Sequence, residues 1–352
     1  MQQTDKTKPV MVTGATGYVA GWVIKKLLDE GYTVHAAVRN PEKKEKIAHL
    51  VELAENAPGS IQFFKSDLLN IGSYAEAMAG CEAVFHTASP FTLDTKDPQK
   101  ELIDPALKGT ANVLEQANKT PSVKKVVLTS SCAAIYTDCS DLKATPKGIF
   151  TEEIWNTTAS LKYQPYAYSK TLAEQEAWKI ADAQEQWKLV VLNPSFVMGP
   201  PLNPATATSE SISLLKQMGD GSFKSGTPNL GIGVVDVRDL AEAHFNAAFM
   251  PTAEGRNIIS GHNSSFLELV QILHKQFGKT HKIPNKALPK WLLMLIGPFV
   301  NKALTRKYIR NNVNMEFKSD HSKSKKELGM HYRPLAETML DGFQALIDAK
   351  IL

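Results

Sequence analysis

The stretch from Val10 to Gly21, with the sequence VMVTGATGYVAG, decides the fold of this chain. Its first four residues are apolar or β-branched, as in a buried strand, and a segment with helical periodicity follows and ends near Gly31. Between them, Gly14 permits a tight turn, and Gly17 lets the backbone come close to a phosphate at the helix N-terminus. A glycine loop in this strand-to-helix position predicts a dinucleotide-binding βαβ unit.

The alternation of strands and helices continues to about Asn193. Predicted strands span the short apolar runs Val10–Thr13, Thr33–Val38, Ile61–Phe64, Ala83–His86, Lys125–Ser130 and Leu189–Asn193. Predicted helices span Gly17–Glu30, Pro41–Glu55, Ile71–Ala79, Pro98–Asn118 and Pro165–Gln186. Because the strand runs are continuously apolar, we expect helices to cover both faces of the sheet. The predicted fold class is therefore α/β, with a doubly wound parallel sheet of the Rossmann type.

The regular alternation ends after Asn193. Four prolines follow within eleven residues and indicate a crossing between two lobes, at Pro194, Pro200, Pro201 and Pro204. We expect the chain to return to the first lobe as a helix over Val234–Met250 and a final strand over Gly255–Ser260.

A smaller lobe is predicted to complete the molecule. A capping-box pattern at Ser265–Glu268 predicts a helix that runs to Phe277. Residues 1–193, joined by 234–260, are expected to form the dinucleotide-binding domain. Residues 194–233 and 261–352 are expected to form a mainly helical, C-terminal lobe that binds the substrate.

Length and composition exclude several classes of protein. The chain has 352 residues, 43% of them hydrophobic, with 40 Lys and Arg against 36 Asp and Glu, which excludes a disordered or fibrous protein. Three cysteines are too few for a disulfide framework, so we expect a reducing, cytoplasmic compartment. We expect no secretory signal, because Met1–Pro9 contain no apolar run, and we expect no membrane span, because no apolar run in the sequence is long enough for one.

The charge is unevenly distributed. The segment Lys279–Arg333 carries 13 Lys and Arg but only 3 Asp and Glu. We expect an ordinary solvated face there, with contact to an anionic ligand or membrane surface as the alternative.

The end of the second predicted strand decides between two dinucleotides. A site for NAD usually has Asp or Glu here, whereas this chain has Val38-Arg39-Asn40, followed by Lys43 and further lysines. A guanidinium can hold a 2′-phosphate with two hydrogen bonds, so Arg39 predicts NADP(H). After the third strand, Asp67 could accept a hydrogen bond from the adenine amino group, or it could be an ordinary turn residue.

A tyrosine and a lysine form the candidate catalytic pair. Tyr166 and Lys170 are four residues apart in a predicted helix, which puts the phenol and the ammonium on one face. A phenol with an ordinary pKa of about 10 needs such a neighbour to exchange a proton near neutral pH. The pair follows Thr129-Ser-Ser131 at the end of the fifth predicted strand, in a chain that already has the dinucleotide loop.

Motifs over nearly the whole chain resemble those of one known family. They are Val12–Gly17, Gly31–Val34, Val38–Arg39, Val84–Pro90, Lys96–Pro98, Thr129–Ser131, Tyr166–Glu174, Pro194–Pro200 and Asp236–His244. The sequence is similar to the extended short-chain dehydrogenase/reductases. Within them it resembles the branch of dihydroflavonol 4-reductases, cinnamoyl-CoA reductases and the yeast and bacterial aldehyde and ketone reductases.

The resemblance implies a role for each candidate residue. Tyr166 is the implied general acid, Lys170 lowers its pKa and holds the nicotinamide ribose, and Ser131 binds the substrate oxygen. The expected cofactor contacts are Gly14, Thr16, Gly17, Tyr18, Val19, Arg39, Lys43, Asp67, Leu68, Thr87, Ala88, Ser89, Tyr166, Lys170, Pro194, Val197 and Ser209.

Two departures from the family pattern matter. The third loop glycine of the family is Ala20 here, and a methyl group at this point still permits close packing of helix and strand. Cinnamoyl-CoA reductases carry a Lys-Asn-Trp-Tyr-Cys-Tyr signature, where this chain reads Lys162-Tyr-Gln-Pro-Tyr166-Ala-Tyr-Ser-Lys170. Reduction of a thioester is therefore expected less than reduction of an aldehyde or ketone.

Other residues have competing interpretations. The nine histidines do not cluster at metal-ligand spacing, so no metal is predicted. Phe91, Thr92, Tyr136 and Phe223 could form an aromatic wall beside the substrate or belong to the core. We expect Trp291–Val300 to be a buried helix of the small lobe, with docking on a membrane or covering of the pocket as alternatives.

Together these patterns predict an NADPH-dependent carbonyl reductase that acts on an aldehyde or ketone. Its partner is a small-molecule carbonyl substrate, nucleic-acid binding is not expected, and the chain is expected to be a monomer or a homodimer. The same scaffold also suits a sugar-nucleotide epimerase or dehydratase and a hydroxysteroid dehydrogenase. A non-catalytic module that senses NADP(H) is the alternative from another class.

Overall fold

The computed structural model describes residues 6–89, 95–206, 209–301 and 303–352. Within these ranges the strands are β1 (Val10–Thr13), β2 (Thr33–Val38), β3 (Ser60–Lys65), β4 (Ala83–His86), β5 (Lys125–Thr129), β6 (Lys188–Pro194), β7 (Phe196–Met198), β8 (Gly231–Asp236), β9 (Gly255–Ile259) and β10 (His262–Ser265). The helices are α1 (Tyr18–Asp29), α2 (Lys44–Glu55), α3 (Ala75–Met78), α4 (Asp104–Asn118), α5 (Pro165–Asp182), α6 (Glu210–Gly219), α7 (Val237–Phe249), α8 (Phe266–Phe277), α9 (Lys290–Val300), α10 (Arg306–Asn312), α11 (Ser322–Glu327) and α12 (Leu335–Asp348). None of these helices is long and apolar enough to cross a membrane.

Seven strands form one parallel sheet in the order β3-β2-β1-β4-β5-β6-β9. The direction of strand addition reverses between β1 and β4, and ligands of open α/β sheets bind outside the carboxyl ends of the strands at such a reversal. The predicted doubly wound sheet is confirmed.

Alternate residues of the central strands pack into two different core clusters. In β1, Val12 belongs to one cluster and Met11 to the other. In β4, Phe85 and Val84 divide between the same two clusters. Both faces are therefore covered, which explains why the strand sequences are continuously apolar.

A second sheet was not expected from the sequence. It has three strands in the order β10-β8-β7, with β8 antiparallel to β10 and parallel to β7. The predicted helix over Val234–Met250 is therefore partly wrong, because Val234–Asp236 end strand β8 and α7 begins at Val237. Asp236 caps that helix by accepting a hydrogen bond from the Arg238 amide at 2.8 Å.

Two other predictions about the second half of the chain are confirmed. Strand β9 returns to the main sheet beside β6. Helix α8 begins after Ser265, whose hydroxyl accepts a hydrogen bond from the Glu268 amide at 3.2 Å.

Helix α9 is not the buried helix that we expected. Leu293 and Gly297 are its buried residues, whereas Trp291 is 69% exposed and Phe299 is 86% exposed. The segment is apolar on most sides, but only one side of it is covered. That side packs against α10 and against Leu304, which precedes α10. Hydrophobicity alone therefore did not determine its burial.

Candidate active site

A cavity of about 1120 Å³ lies where the loops after β1, β2, β4 and β5 meet the segment after β6. Seventeen of the eighteen residues that we predicted for the site line this cavity. They are Gly14, Thr16, Gly17, Tyr18, Val19, Arg39, Asp67, Leu68, Thr87, Ala88, Ser89, Ser131, Tyr166, Lys170, Pro194, Val197 and Ser209.

The glycine loop leaves no space for side chains. Gly14 has a φ of +62°, and a Cβ atom on it would lie 3.0 Å from the Cα atom of Ala88. A Cβ atom on Gly17 would lie 3.1 Å from the Gly14 carbonyl oxygen, to which the Gly17 amide donates a hydrogen bond at 2.8 Å. The bare backbone at the N-terminus of α1 fits the pyrophosphate of a dinucleotide.

The loop after β4 is tied to β1 at Thr13, whose carbonyl oxygen also accepts a hydrogen bond from the Thr87 hydroxyl. The Thr13 Oγ1 atom accepts hydrogen bonds from the amides of Thr87 at 3.1 Å and Ala88 at 3.0 Å. Thr13 also lies 2.9 Å from the Nδ1 atom of the buried His86. These bonds fix the two strand ends that form this wall of the cavity.

Basic side chains line the end of the cavity near β2. Arg39 is exposed and contributes to the lining, as predicted from its position. Lys43 does not line the cavity, and Lys46 does so instead, together with His49. Lys43 precedes the first residue of α2, whereas Lys46 is in its first turn. Contact of Lys43 with the cofactor stays a prediction.

Asp67 is a turn residue at the wall of the cavity, and its contact with an adenine amino group stays a prediction. Its carboxylate accepts a hydrogen bond from the Leu69 amide at 2.9 Å, as a turn residue does, and it also lines the cavity. Ser209 similarly caps α6 by accepting a hydrogen bond from Ile212 and lines the cavity.

The three candidate catalytic residues meet in this cavity. Ser131 follows β5, while Tyr166 and Lys170 lie on the first turns of α5. The Ser131 hydroxyl forms a hydrogen bond with the phenol of Tyr166. The Lys170 ammonium donates a hydrogen bond to the Thr129 carbonyl oxygen at 3.4 Å.

Burial controls the acidity of the tyrosine and the lysine. It raises the pKa of Tyr166 to about 12, and the hydrogen bond with Ser131 opposes this rise. Lys170 is not among the groups that shift this pKa, so the lowering that we expected from Lys170 stays a prediction. Burial also lowers the pKa of Lys170 to about 8, against the opposing charge of Glu174. At neutral pH the phenol therefore keeps its proton and the lysine remains largely cationic.

A buried ion pair behind the site was missed at the sequence level. Glu174 lies one turn beyond Lys170 on α5, and its carboxylate is 2.6 Å from the Nε atom of Arg256 on β9. The Ser130 hydroxyl and the Asn193 amide, at 2.8 Å, also donate hydrogen bonds to Glu174. The one sequence signal for this ion pair was the position of Glu174, four residues after Lys170 on the same helix. Its partner Arg256 lies 82 residues further along the chain, so no local pattern connects the two residues.

Arg256 is held by several further contacts. Its guanidinium donates hydrogen bonds to the carbonyl oxygens of Glu152 at 2.6 Å and Ile154 at 2.7 Å. It also lies over the Trp155 ring, 4.0 Å from the ring centroid. The ion pair therefore links α5 to both β9 and the loop before α5.

The residues that we considered for an aromatic wall beside the substrate lie in different places. Tyr136 lines the cavity and stacks on Phe150 at 4.5 Å between ring centroids. Phe223 packs against Phe266 of α8 at the edge of a separate hydrophobic cluster and does not line the cavity. Phe91 and Thr92 lie outside the described residues.

Gln164 and Tyr308 are among the lining residues that the sequence analysis did not single out. Gln164 precedes α5 with a φ of +55°, a left-handed conformation that is uncommon for a residue other than glycine. Tyr308 of α10 reaches the cavity from the far end of the chain. No local pattern marks either residue, since both are positioned by tertiary packing.

A family model described as the NAD dependent epimerase/dehydratase family matches residues 10–259. The chain belongs to this family. The matched region extends from the first strand of the main sheet to its last. Membership of the extended short-chain dehydrogenase/reductases, as predicted from the motifs, is confirmed.

Named relatives place the chain in the dihydroflavonol reductase-like branch. A cinnamoyl-CoA reductase of Medicago truncatula is 42% identical over 280 residues, which are 79% of this chain and 83% of the relative. A tetraketide alpha-pyrone reductase of Arabidopsis thaliana is 36% identical over 344 residues, 96% and 95% of the two chains. The solved structure of the yeast methylglyoxal/isovaleraldehyde reductase Gre2 complexed with NADPH has a TM-score of 0.76 at 28% identity, covering 98% of this chain and all of the other.

Proposed function

We propose that this family member is an NADPH-dependent reductase that converts an aldehyde or ketone into an alcohol. It is an oxidoreductase that acts on carbonyl or alcohol groups, as are the named relatives of its branch. The observation that carries the proposal is the meeting of Ser131, Tyr166 and Lys170 in the cavity that the glycine loop also lines.

The choice of NADP(H) rests on the basic end of the cavity. Arg39 and Lys46 can both face a 2′-phosphate, and Arg39 occupies the strand-end position where a carboxylate would favour NAD. The yeast Gre2 reductase was solved as its NADPH complex, and it has a similar fold. A reduced nicotinamide supplies the hydride when it is bound.

The residues of the chain supply the proton and orient the carbonyl group. Ser131 and Tyr166 share a hydrogen bond, so a carbonyl oxygen between them would meet two hydroxyl donors. Tyr166 stays protonated at neutral pH, because burial raises its pKa to about 12, and it can give this proton to the developing alkoxide. The Lys170 ammonium then stabilises the phenolate that remains.

Removal of the phenolic proton tests this proposal. Tyr166→Phe is expected to lower kcat by about 10²–10⁴ while NADPH affinity changes little, because a general acid contributes on that order. Tyr168→Phe is the matched control, since Tyr168 lies on the same helix and does not line the cavity. The measurement is the loss of nicotinamide absorbance with NADPH or NADH against aldehydes, diketones, flavanonols and an acyl-CoA thioester.

Near-normal turnover by Tyr166→Phe would refute the assigned acid. Consumption of NADPH with the thioester, but with no aldehyde or ketone, would refute the proposed substrate class. Strong NADPH binding without turnover of any carbonyl compound would favour the sensing module.

A sugar-nucleotide epimerase is a second candidate, because the matching family is named after its epimerases and dehydratases. An epimerase regenerates its cofactor within each turnover. Purification of the protein with firmly bound NAD, and no net NADPH consumption with carbonyl compounds, would favour this candidate.

A further inference from the structure

Helix α9 presents an apolar face to solvent. Trp291, Leu295 and Phe299 are spaced by four residues and therefore lie on one side of the helix. Their exposed fractions are 69%, 58% and 86%, and the neighbouring Val300 is 76% exposed. Exposed apolar side chains are common singly, but a contiguous group of this kind marks an interaction surface.

The opposite side of α9 anchors it to the protein. Leu293 is buried in a small cluster with Ile309 and Val313 of the α10 region. A Cβ atom on Gly297 would lie 3.0 Å from Ile309, so the two helices approach closely. The exposed face is therefore held outward by a packed inner face.

The sequence on both sides of α9 is rich in Lys and Arg. Residues 269–315 contain nine Lys and Arg and no Asp or Glu. The Nε atom of Arg306 lies 3.4 Å from the Met294 carbonyl oxygen, so this cation is beside α9 itself. Arg306, Lys307 and Arg310 are all exposed.

We propose that the exposed face of α9 docks on the surface of an anionic lipid bilayer. Trp291 and Phe299 enter the boundary between headgroups and acyl chains, and the flanking Arg306 and Arg310 contact anionic headgroups. Exposed aromatic and aliphatic side chains with Lys or Arg beside them bind membranes in this way, because burial of apolar area and attraction to anionic lipids both contribute.

The charge pattern favours a bilayer over a second copy of the chain. Two copies joined through α9 would bring two segments of uniform positive charge together, without a carboxylate in either segment to neutralise them. An anionic surface instead gains from every added cation. The inference does not depend on the proposed function.

Vesicle sedimentation of the full chain tests the proposal. The protein is expected to sediment with phosphatidylcholine vesicles that contain phosphatidylserine, and much less with phosphatidylcholine alone. Trp291→Ser combined with Phe299→Ser should lower the partition coefficient about a hundredfold, because two large apolar side chains are removed. Arg306→Gln combined with Arg310→Gln should lower it about thirtyfold, and this difference should shrink at high salt.

The matched control is Ile71→Ser, which removes another exposed apolar side chain that lies outside α9, and it should bind as the parent chain does. Thermal unfolding of each variant shows that it is folded. Equal binding by the Trp291→Ser/Phe299→Ser variant, or equal binding to vesicles with and without phosphatidylserine, would overturn the proposal. Concentration-dependent dimerisation that this variant abolishes would assign the face to a second copy instead.

Discussion

Replacement of Glu174 by alanine is expected to lower the free energy of unfolding by about 3–5 kcal/mol, because it leaves the Arg256 guanidinium buried without its partner. For a chain of this size the lower end of the usual scale, about 2 °C per kcal/mol, applies. The expected decrease in Tm is therefore about 6–10 °C. Calorimetry and guanidinium unfolding measure the two quantities.

An exposed ion pair of equal length provides the control. Lys25 and Asp29 are also 2.6 Å apart, but their side chains are 33% and 49% exposed. Asp29→Ala is expected to lower the free energy of unfolding by less than about 1 kcal/mol, since water screens and replaces such a pair.

A double-mutant cycle separates pairing from other contacts. Glu174→Gln keeps hydrogen-bonding groups for Ser130 and Asn193, and Arg256→Met removes the cation. The double variant should be more stable than Glu174→Gln alone, because neither charge remains. It should still be less stable than the parent chain, because three carbonyl oxygens lose the guanidinium donor. If Glu174→Ala costs no more than Asp29→Ala, or if the double variant equals the sum of the single changes, the reasoning about burial is wrong.

Four other changes have defined outcomes. Arg39→Ser should raise the KM for NADPH about 30–100-fold and leave the KM for NADH nearly unchanged, because the bidentate hydrogen bonds of the guanidinium to the 2′-phosphate are lost. Initial-rate kinetics with both cofactors measure these KM values. Burial lowers the pKa of Lys170 to about 8, so kcat/KM for reduction should be level below pH 8 and fall above it as the ammonium becomes neutral. Glu174→Gln should move this decrease to lower pH, since the Glu174 charge raises that pKa, and an unmoved pH profile would contradict the coupling. Gly14→Ala should weaken dinucleotide binding at least tenfold in fluorescence titration, because the φ of +62° and the contact with Ala88 both oppose a side chain. Gln164→Gly should be more stable than Gln164→Ala by about 1 kcal/mol in thermal unfolding, because glycine tolerates the left-handed conformation, and equal stability would show that no strain resides there.

The sequence predicted the parts of this protein that depend on local pattern. The glycine loop, the continuously apolar strands and the Ser265 cap each have a short-range signature, and the corresponding elements are confirmed. Many of the residues that line the cavity could also be predicted from the sequence, because the carboxyl ends of parallel strands converge at one edge of the sheet.

The remaining features depend on packing between distant segments. The predicted helix over Val234–Met250 included the second half of strand β8, because that apolar run leads directly into α7. Lys46, in the first turn of α2, lines the cavity, whereas Lys43 precedes the helix, and the row of lysines in the sequence does not show which of them faces the site. The exposure of α9 depends on which side its neighbours cover, and hydropathy does not contain that information.

The late position of β9 has a consequence for synthesis on the ribosome. Arg256 emerges 82 residues after Glu174, so a nascent chain that stops between them carries a carboxylate whose intended counter-ion does not yet exist. The helix that bears Tyr166 and Lys170 can then reach its final setting only after most of the polypeptide has been translated. If the chain is produced as two fragments divided between residues 182 and 255, neither fragment should fold stably alone, and the two should fold when they are combined.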